Sequence, residues 1–152
     1  MYGFSFKFSL KKLLIAAAFL AAAVAVIIML CGGGEKGIYA QTEQERLDYI
    51  CSLGYSPQKT GGETTVVTIP YEFSKVYDEY NRIQLKAGFD LAKYKGCDVI
   101  RYTYLLEDFP PEDYAVVNLL ILEGEIIGGD VSSRRLDGFM YPLLQKQDGQ
   151  IG

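Results

Sequence analysis

From Leu13 to Cys31 the chain runs through nineteen apolar residues without a charge. At 1.5 Å of rise per residue, a helix over this run is about 28 Å long, close to the thickness of a bilayer's hydrocarbon core. The run therefore reads as a membrane anchor. Lys7, Lys11 and Lys12 precede it, and no acid stands among the first twelve residues. The positive-inside bias puts that end in the cytoplasm and everything after the span outside. The expected organisation is a basic cytoplasmic segment over 1–12, a transmembrane anchor over 13–31, a flexible tether over 32–41, an extracytoplasmic domain over 42–144 and a disordered tail over 145–152. The expected location is the cell membrane, with a single pass.

A cleaved secretory signal also begins with a basic segment and an apolar run, but its apolar core is shorter than this one. Ile38 and Ala40 have the small-residue spacing of a cleavage site, yet they lie about nine residues beyond the span. A lipoprotein site at Cys31 wants small residues before the cysteine, where Leu30, Met29 and Ile28 are bulky. An uncleaved anchor fits best. Within the run, Ala17, Ala21 and Ala25 fall on one helix face at the spacing that lets two membrane helices approach. Self-association through the span is one partner reading, and plain helix propensity in an alanine-rich anchor is the other.

About 110 residues remain outside, enough for one domain with one core. The formal net charge is −4, and without the three amino-terminal lysines the outer part carries about −7. Acids are spread among the basic residues, so no stripe suits a phosphate backbone and nucleic acid is not an expected partner. Cys51 and Cys97 are the only cysteines of the outer part. They are either a disulfide pair in an oxidising exterior or small buried hydrophobes, and their apolar neighbours favour the second reading.

Local signals place the elements. Thr42 and Glu45 have capping-box spacing, and Leu47, Ile50 and Cys51 recur at helical intervals until Gly54 stops the helix. Thr64 to Ile69 is β-branched and ends at Pro70, as a strand does. A second helix has Phe73, Val76, Tyr77, Tyr80, Ile83, Gln84 and Ala87 on its inner face, with Gly88 as a left-handed stop. Alternation over Asp98 to Leu106 gives a half-buried strand whose inner face carries Tyr102 and Tyr104. Tyr114 to Leu122 is apolar on both parities except at Asn118, which suits a strand covered on both faces. Glu123-Gly124 turns the chain into a further strand from Glu125 to Val131, and Leu136 to Leu144 adds one short packing segment. Strands adjacent in sequence without βαβ alternation predict an α+β domain: two helices with an antiparallel sheet of about four strands.

The ordered blocks Ile69-Pro70, Val76-Tyr77, Tyr80-Asn81, Gly88-Phe89-Asp90-Leu91, Arg101-Tyr102-Thr103-Tyr104, Asn118-Leu119-Leu120, Gly128-Gly129-Asp130-Val131 and Leu136-Asp137-Gly138-Phe139-Met140 resemble a family of single-span, membrane-anchored proteins from Gram-positive anaerobes, described only as a domain of unknown function. The resemblance spans about Thr42 to Leu144 and departs at Tyr55, where such proteins tend to carry tryptophan. It implies the anchored α+β arrangement and brings no activity, cofactor or catalytic residue.

The chain has no histidine, which removes Ser-His and Cys-His pairs, imidazole acid–base chemistry and most transition-metal sites. No metal site, cofactor or catalytic residue is expected. Carboxylates near turns (Asp90, Asp98, Glu107, Asp108, Asp130 and Asp137) leave one enzymatic alternative, a cell-envelope hydrolase using two of them as a pair. The string Gly128-Gly129-Asp130-Val131-Ser132-Ser133-Arg134-Arg135 is the most singular. Asp130, Ser132, Ser133, Arg134 and Arg135 offer acceptors and forks for a binding rim, against the plainer reading of a bulged strand exit followed by a turn. Dense tyrosines suit a sugar- or peptide-binding platform, although periodicity turns most of them inward. The expectation is thus a non-enzymatic extracytoplasmic interaction module. Its partners would be lipid at the span and an envelope protein, a peptide or a cell-wall ligand at the domain.

Overall fold

The computed structural model describes residues 37–59 and 62–146. The apolar run with Lys7, Lys11 and Lys12, and residues 147–152, lie outside the described residues. Among the described residues no helix is long and apolar enough to cross a membrane.

Among the described residues, six strands and two helices form an α+β arrangement: β1 (Ile38–Tyr39), α1 (Glu43–Ser52), β2 (Glu63–Thr68), α2 (Lys75–Lys86), β3 (Asp98–Leu105), β4 (Ala115–Leu122), β5 (Glu125–Ser133) and β6 (Met140–Pro142), with 3₁₀ turns at Leu91–Tyr94 and Pro111–Asp113. One antiparallel sheet has the order β1-β5-β4-β3-β2, and β6 also pairs with β5. The expected four strands are thus six. Both additions line the outer edge of β5. Ile38 pairs with Ile126 inside the stretch expected to be a tether, while Asp130 to Ser132 pair with Pro142 to Met140. Two or three residues are too few to display an alternation, so neither strand announces itself in the sequence. Ala40, weighed above as a cleavage position, is fully buried and donates its N–H to the carbonyl of Gly124.

Helix ends follow their local chemistry. Thr42 Oγ1 accepts from the Glu45 N–H while the Glu45 carboxylate accepts from the Thr42 N–H, a complete capping box. These bonds hold the Glu45 carboxyl below its ordinary pKa. Ser74 caps α2. At its other end Phe89 N–H reaches the Gln84 carbonyl and Gly88 N–H the Leu85 carbonyl, the two bonds of a Schellman stop. Gly88 has φ +86°, open to glycine without strain.

Glu123 and Gly124 both have positive φ, which makes the β4–β5 connection a two-residue turn of the type that matches strand twist. Between Leu120 and Ile121 the β4–β5 register shifts, so Ile127 and Gly128 together oppose Leu120. The bulge expected at the strand's exit therefore sits near its start, and β5 continues to Ser133 rather than ending at Val131.

β4 is covered on both sides, as its sequence indicates. One face packs with α1: Leu47, Ile50, Tyr55, Tyr104, Phe109, Val117, Leu119, Ile121, Ile126, Val131 and Leu143 form the larger core cluster. Arg46 is buried there too, 7% exposed. Its guanidinium donates to Tyr104 OH and to the Gln41 carbonyl and lies 3.8 Å above the Tyr102 ring. The opposite face meets the first 3₁₀ turn and α2 through a smaller cluster of Ile69, Leu91, Val99, Leu120 and Ile127.

The inner face of α2 differs from expectation at two positions. Val76 is exposed and Asn81 is buried, while Gln84 is fully covered as expected. Asn81 Oδ1 accepts from the Leu91 N–H and its Nδ2 donates to Asp90, so this helix is docked by hydrogen bonds as much as by apolar area. Gln84 does the same for the sheet. Its Oε1 accepts from the Gly129 N–H at 2.7 Å, on the stretch of β5 that lies between its β1 and β6 pairings.

Candidate functional site

Three adjacent strands bring Thr103, Asn118 and Asp130 into one cross-strand row, because Thr103 pairs with Asn118 and Asn118 with Asp130. All three point to the α2 side. Thr103 Oγ1 donates to Asn118 Oδ1 at 2.7 Å, and Asn118 Nδ2 donates to Asp130 Oδ1 at 2.8 Å and to Ser132 Oγ at 3.1 Å. The carboxylate accepts only, which fixes the orientation of the Asn118 amide. From above, Tyr80 OH donates to Asp130 Oδ2 at 2.9 Å. Asp130 is 2% exposed. A buried carboxylate costs several kcal/mol unless hydrogen bonds offset its lost hydration, and here the donors come from α2 and β4.

Burial raises the Tyr80 phenol well above its ordinary pKa, and the adjacent Asp130 charge and hydrogen bond push the same way. Its ring meets Tyr77 edge-on at 5.8 Å, and Tyr77 in turn packs on Phe73 at 4.6 Å. Burial also raises the Tyr77 phenol. The two tyrosines form one wall of a cleft of about 320 Å³ whose floor is Asn118, Leu120, Asp130 and Ser132 and whose lip includes Arg101 and Met140. Arg101 is exposed and makes no hydrogen bond or ion pair among the described residues. Beside the cleft, and sharing Tyr77, Tyr80 and Met140 with it, is a largely apolar hollow completed by Val76, Glu79 and Ile83.

The expected rim is divided by the twofold alternation of β5. Asp130 and Ser132 reach the cleft. Ser133 points to the other face, where its hydroxyl donates to the Asp113 carbonyl. Arg134 lies 2.9 Å from Glu63, and Arg135 lies 3.4 Å from Asp137; both are half-exposed surface pairs. Pairs of that kind contribute little to stability. Sequence reasoning missed Tyr80, Arg101, Thr103 and Asn118 as site residues. The available signal was Asn118 itself, a lone amide in an apolar strand, which calls for a buried partner.

Asp130 is the cleft's single carboxylate, and the one hydrogen bond of Ser132 Oγ is the Asn118 amide's. Among the described residues no cluster of acids or thiols is placed to hold a metal ion. Cys51 and Cys97 are both free thiols: Cys51 is exposed on α1, whereas Cys97 packs in the α2-side cluster across the sheet. The buried reading thus fits Cys97 in part and does not fit Cys51. Family models, curated proteins and solved structures were compared with the chain, and none matches.

Proposed function

We propose that the protein is a non-enzymatic binding module, presented outside the cell by the apolar run 13–31, and that the α2-side cleft is its recognition surface. The observation that carries this reading is a pre-formed cleft whose floor is a hydrogen-bonded polar row and whose lip holds an unpaired guanidinium. Ligand sites commonly have this makeup, a few placed polar groups among apolar walls. The basic residues before the span support the outward orientation. The hydrolase alternative needs two carboxyl groups about 5 to 9.5 Å apart in one cleft, and this cleft contributes one.

Two measurements on the full-length protein test the reading. External protease on cells with permeable walls should degrade the globular domain and spare the amino terminus. Amide hydrogen exchange in detergent should slow in α2 and β5 on addition of envelope extract. Protection of the domain from external protease, or wall-substrate turnover that Asp130→Asn abolishes, would overturn it.

A further inference from the structure

Within the recognition surface just described, two opposite charges share a cleft without meeting. Arg101 and Asp130 both line it, yet no ion pair joins them. Register explains the gap. Arg101 pairs with Leu120, one row away from the Thr103–Asn118–Asp130 row, and β3 and β5 are separated by β4. Two strand spacings and one row step put the two Cα atoms about 12 Å apart. Pairing with each other is therefore left to something between them.

We infer that the cleft takes a free α-amino acid with an apolar side chain, its ammonium received by Asp130 and its carboxylate by Arg101. This assignment rests on the binding reading above and narrows it to one ligand class. Each Asp130 oxygen accepts one side-chain hydrogen bond, from Asn118 or Tyr80, which leaves about half of the carboxylate's acceptor capacity unused. At the other side the Arg101 fork is matched to a carboxylate. A molecule carrying only one charge would meet one of these groups and leave the other as it stands in the free protein. Neutral sugars bring hydroxyls but no charge to either group, and polyphosphates are repelled by Asp130.

Size and shape agree. About 320 Å³ accommodates a small molecule rather than a folded segment, and the adjoining hollow of Val76, Tyr77, Glu79, Tyr80, Ile83 and Met140 presents mostly apolar surface. An aliphatic side chain directed into that hollow would cover Val76 and Met140, which are 79% and 46% exposed.

Calorimetric titration of the full-length protein in detergent tests the assignment with three probes: L-leucine, N-acetyl-L-leucine, which lacks the ammonium, and L-leucinamide, which lacks the carboxylate. L-Leucine should bind, with each blocked analogue weaker by about tenfold or more, the scale of losing one charge-assisted hydrogen bond. Arg101→Gln, a change at an exposed position, should bring L-leucine and L-leucinamide to within about threefold of each other while L-leucine stays stronger than its N-acetyl form. Asp130→Asn should do the converse, with a thermal melt to verify that it folds. Equal binding of all three probes, or binding of none, overturns the amino-acid assignment. If envelope extract still slows exchange in α2 and β5 in that case, the binding reading survives its loss; if that protection is also absent, both fall together.

Discussion

The two faces of the sheet are built from the same strands by opposite means. On the α1 side, alternate residues of β4 and their neighbours are apolar without interruption, from Val117, Leu119 and Ile121 to Tyr104 and Val131. Aromatic rings continue the packing through Tyr55, Phe109, Phe139 and Tyr141. On the α2 side the intervening positions mix Leu120 and Ile127 with Thr103, Asn118, Asp130 and Ser132, and α2 contributes Asn81 and Gln84 at its most covered positions. The first face derives its stability from area removed from water. The second holds its helix by directional bonds, and such bonds leave room where apolar packing would close it. The polar cleft opens on this second side.

Deleting a side chain from the apolar face tests the first half of the comparison. Leu119 is fully buried, so Leu119→Ala should cost about 2 to 5 kcal/mol in denaturant unfolding, with the cavity term deciding where in that range it falls. A loss below 1 kcal/mol would mean that the face relaxes freely and is not the tight side. On the polar face, Asn118→Ala removes a donor from the buried Asp130 and an acceptor from Thr103. Its cost should be about 1 to 3 kcal/mol in denaturant unfolding. A loss below about 0.5 kcal/mol would show that Asp130 does not depend on this donor.

Tyr80→Phe is the mildest of the three, about 1 to 2 kcal/mol near neutral pH for one hydrogen bond to a charged group. It also carries a pH signature. The folded Tyr80 keeps its proton above the ordinary phenol value of about 10, whereas the unfolded chain releases it there. Its contribution is therefore complete below that value and is lost as the pH rises through the folded pKa. Unfolding measured through alkaline pH should decline less steeply in Tyr80→Phe than in the parent. Parallel curves would place the phenol in water and remove it from the cleft wall.

Much of this architecture is legible residue by residue. Thr42 with Glu45, Ser74, Gly88 and the Glu123-Gly124 turn act within a few positions of the chain, and period-two alternation marks β3 and the covered β4. What is hidden has a common cause. β1 and β6 exist only because β5 offers an edge, and the inner face of α2 is set by what packs against it: Asn81 meets Asp90 and the Leu91 N–H of the 3₁₀ turn, Gln84 Oε1 meets the Gly129 N–H of β5, and Val76 stays exposed. Of the residues read as a rim, Asp130 and Ser132 lie on the cleft side of the sheet, and Ser133, Arg134 and Arg135 do not. Adjacency in sequence is not adjacency in a strand, where consecutive side chains leave on opposite faces.

By itself the sequence determined the local geometry: which segments turn, which extend, where helices stop, and that an uncharged run long enough to match a bilayer precedes the domain. Only the tertiary structure decided that Tyr80 would stand over Asp130 and that Thr103, Asn118 and Asp130 would share a row. Those contacts join residues 50, 15 and 12 positions apart. They depend on inter-strand register and helix docking, which minimise the free energy of the whole fold and leave no periodic trace in any one segment.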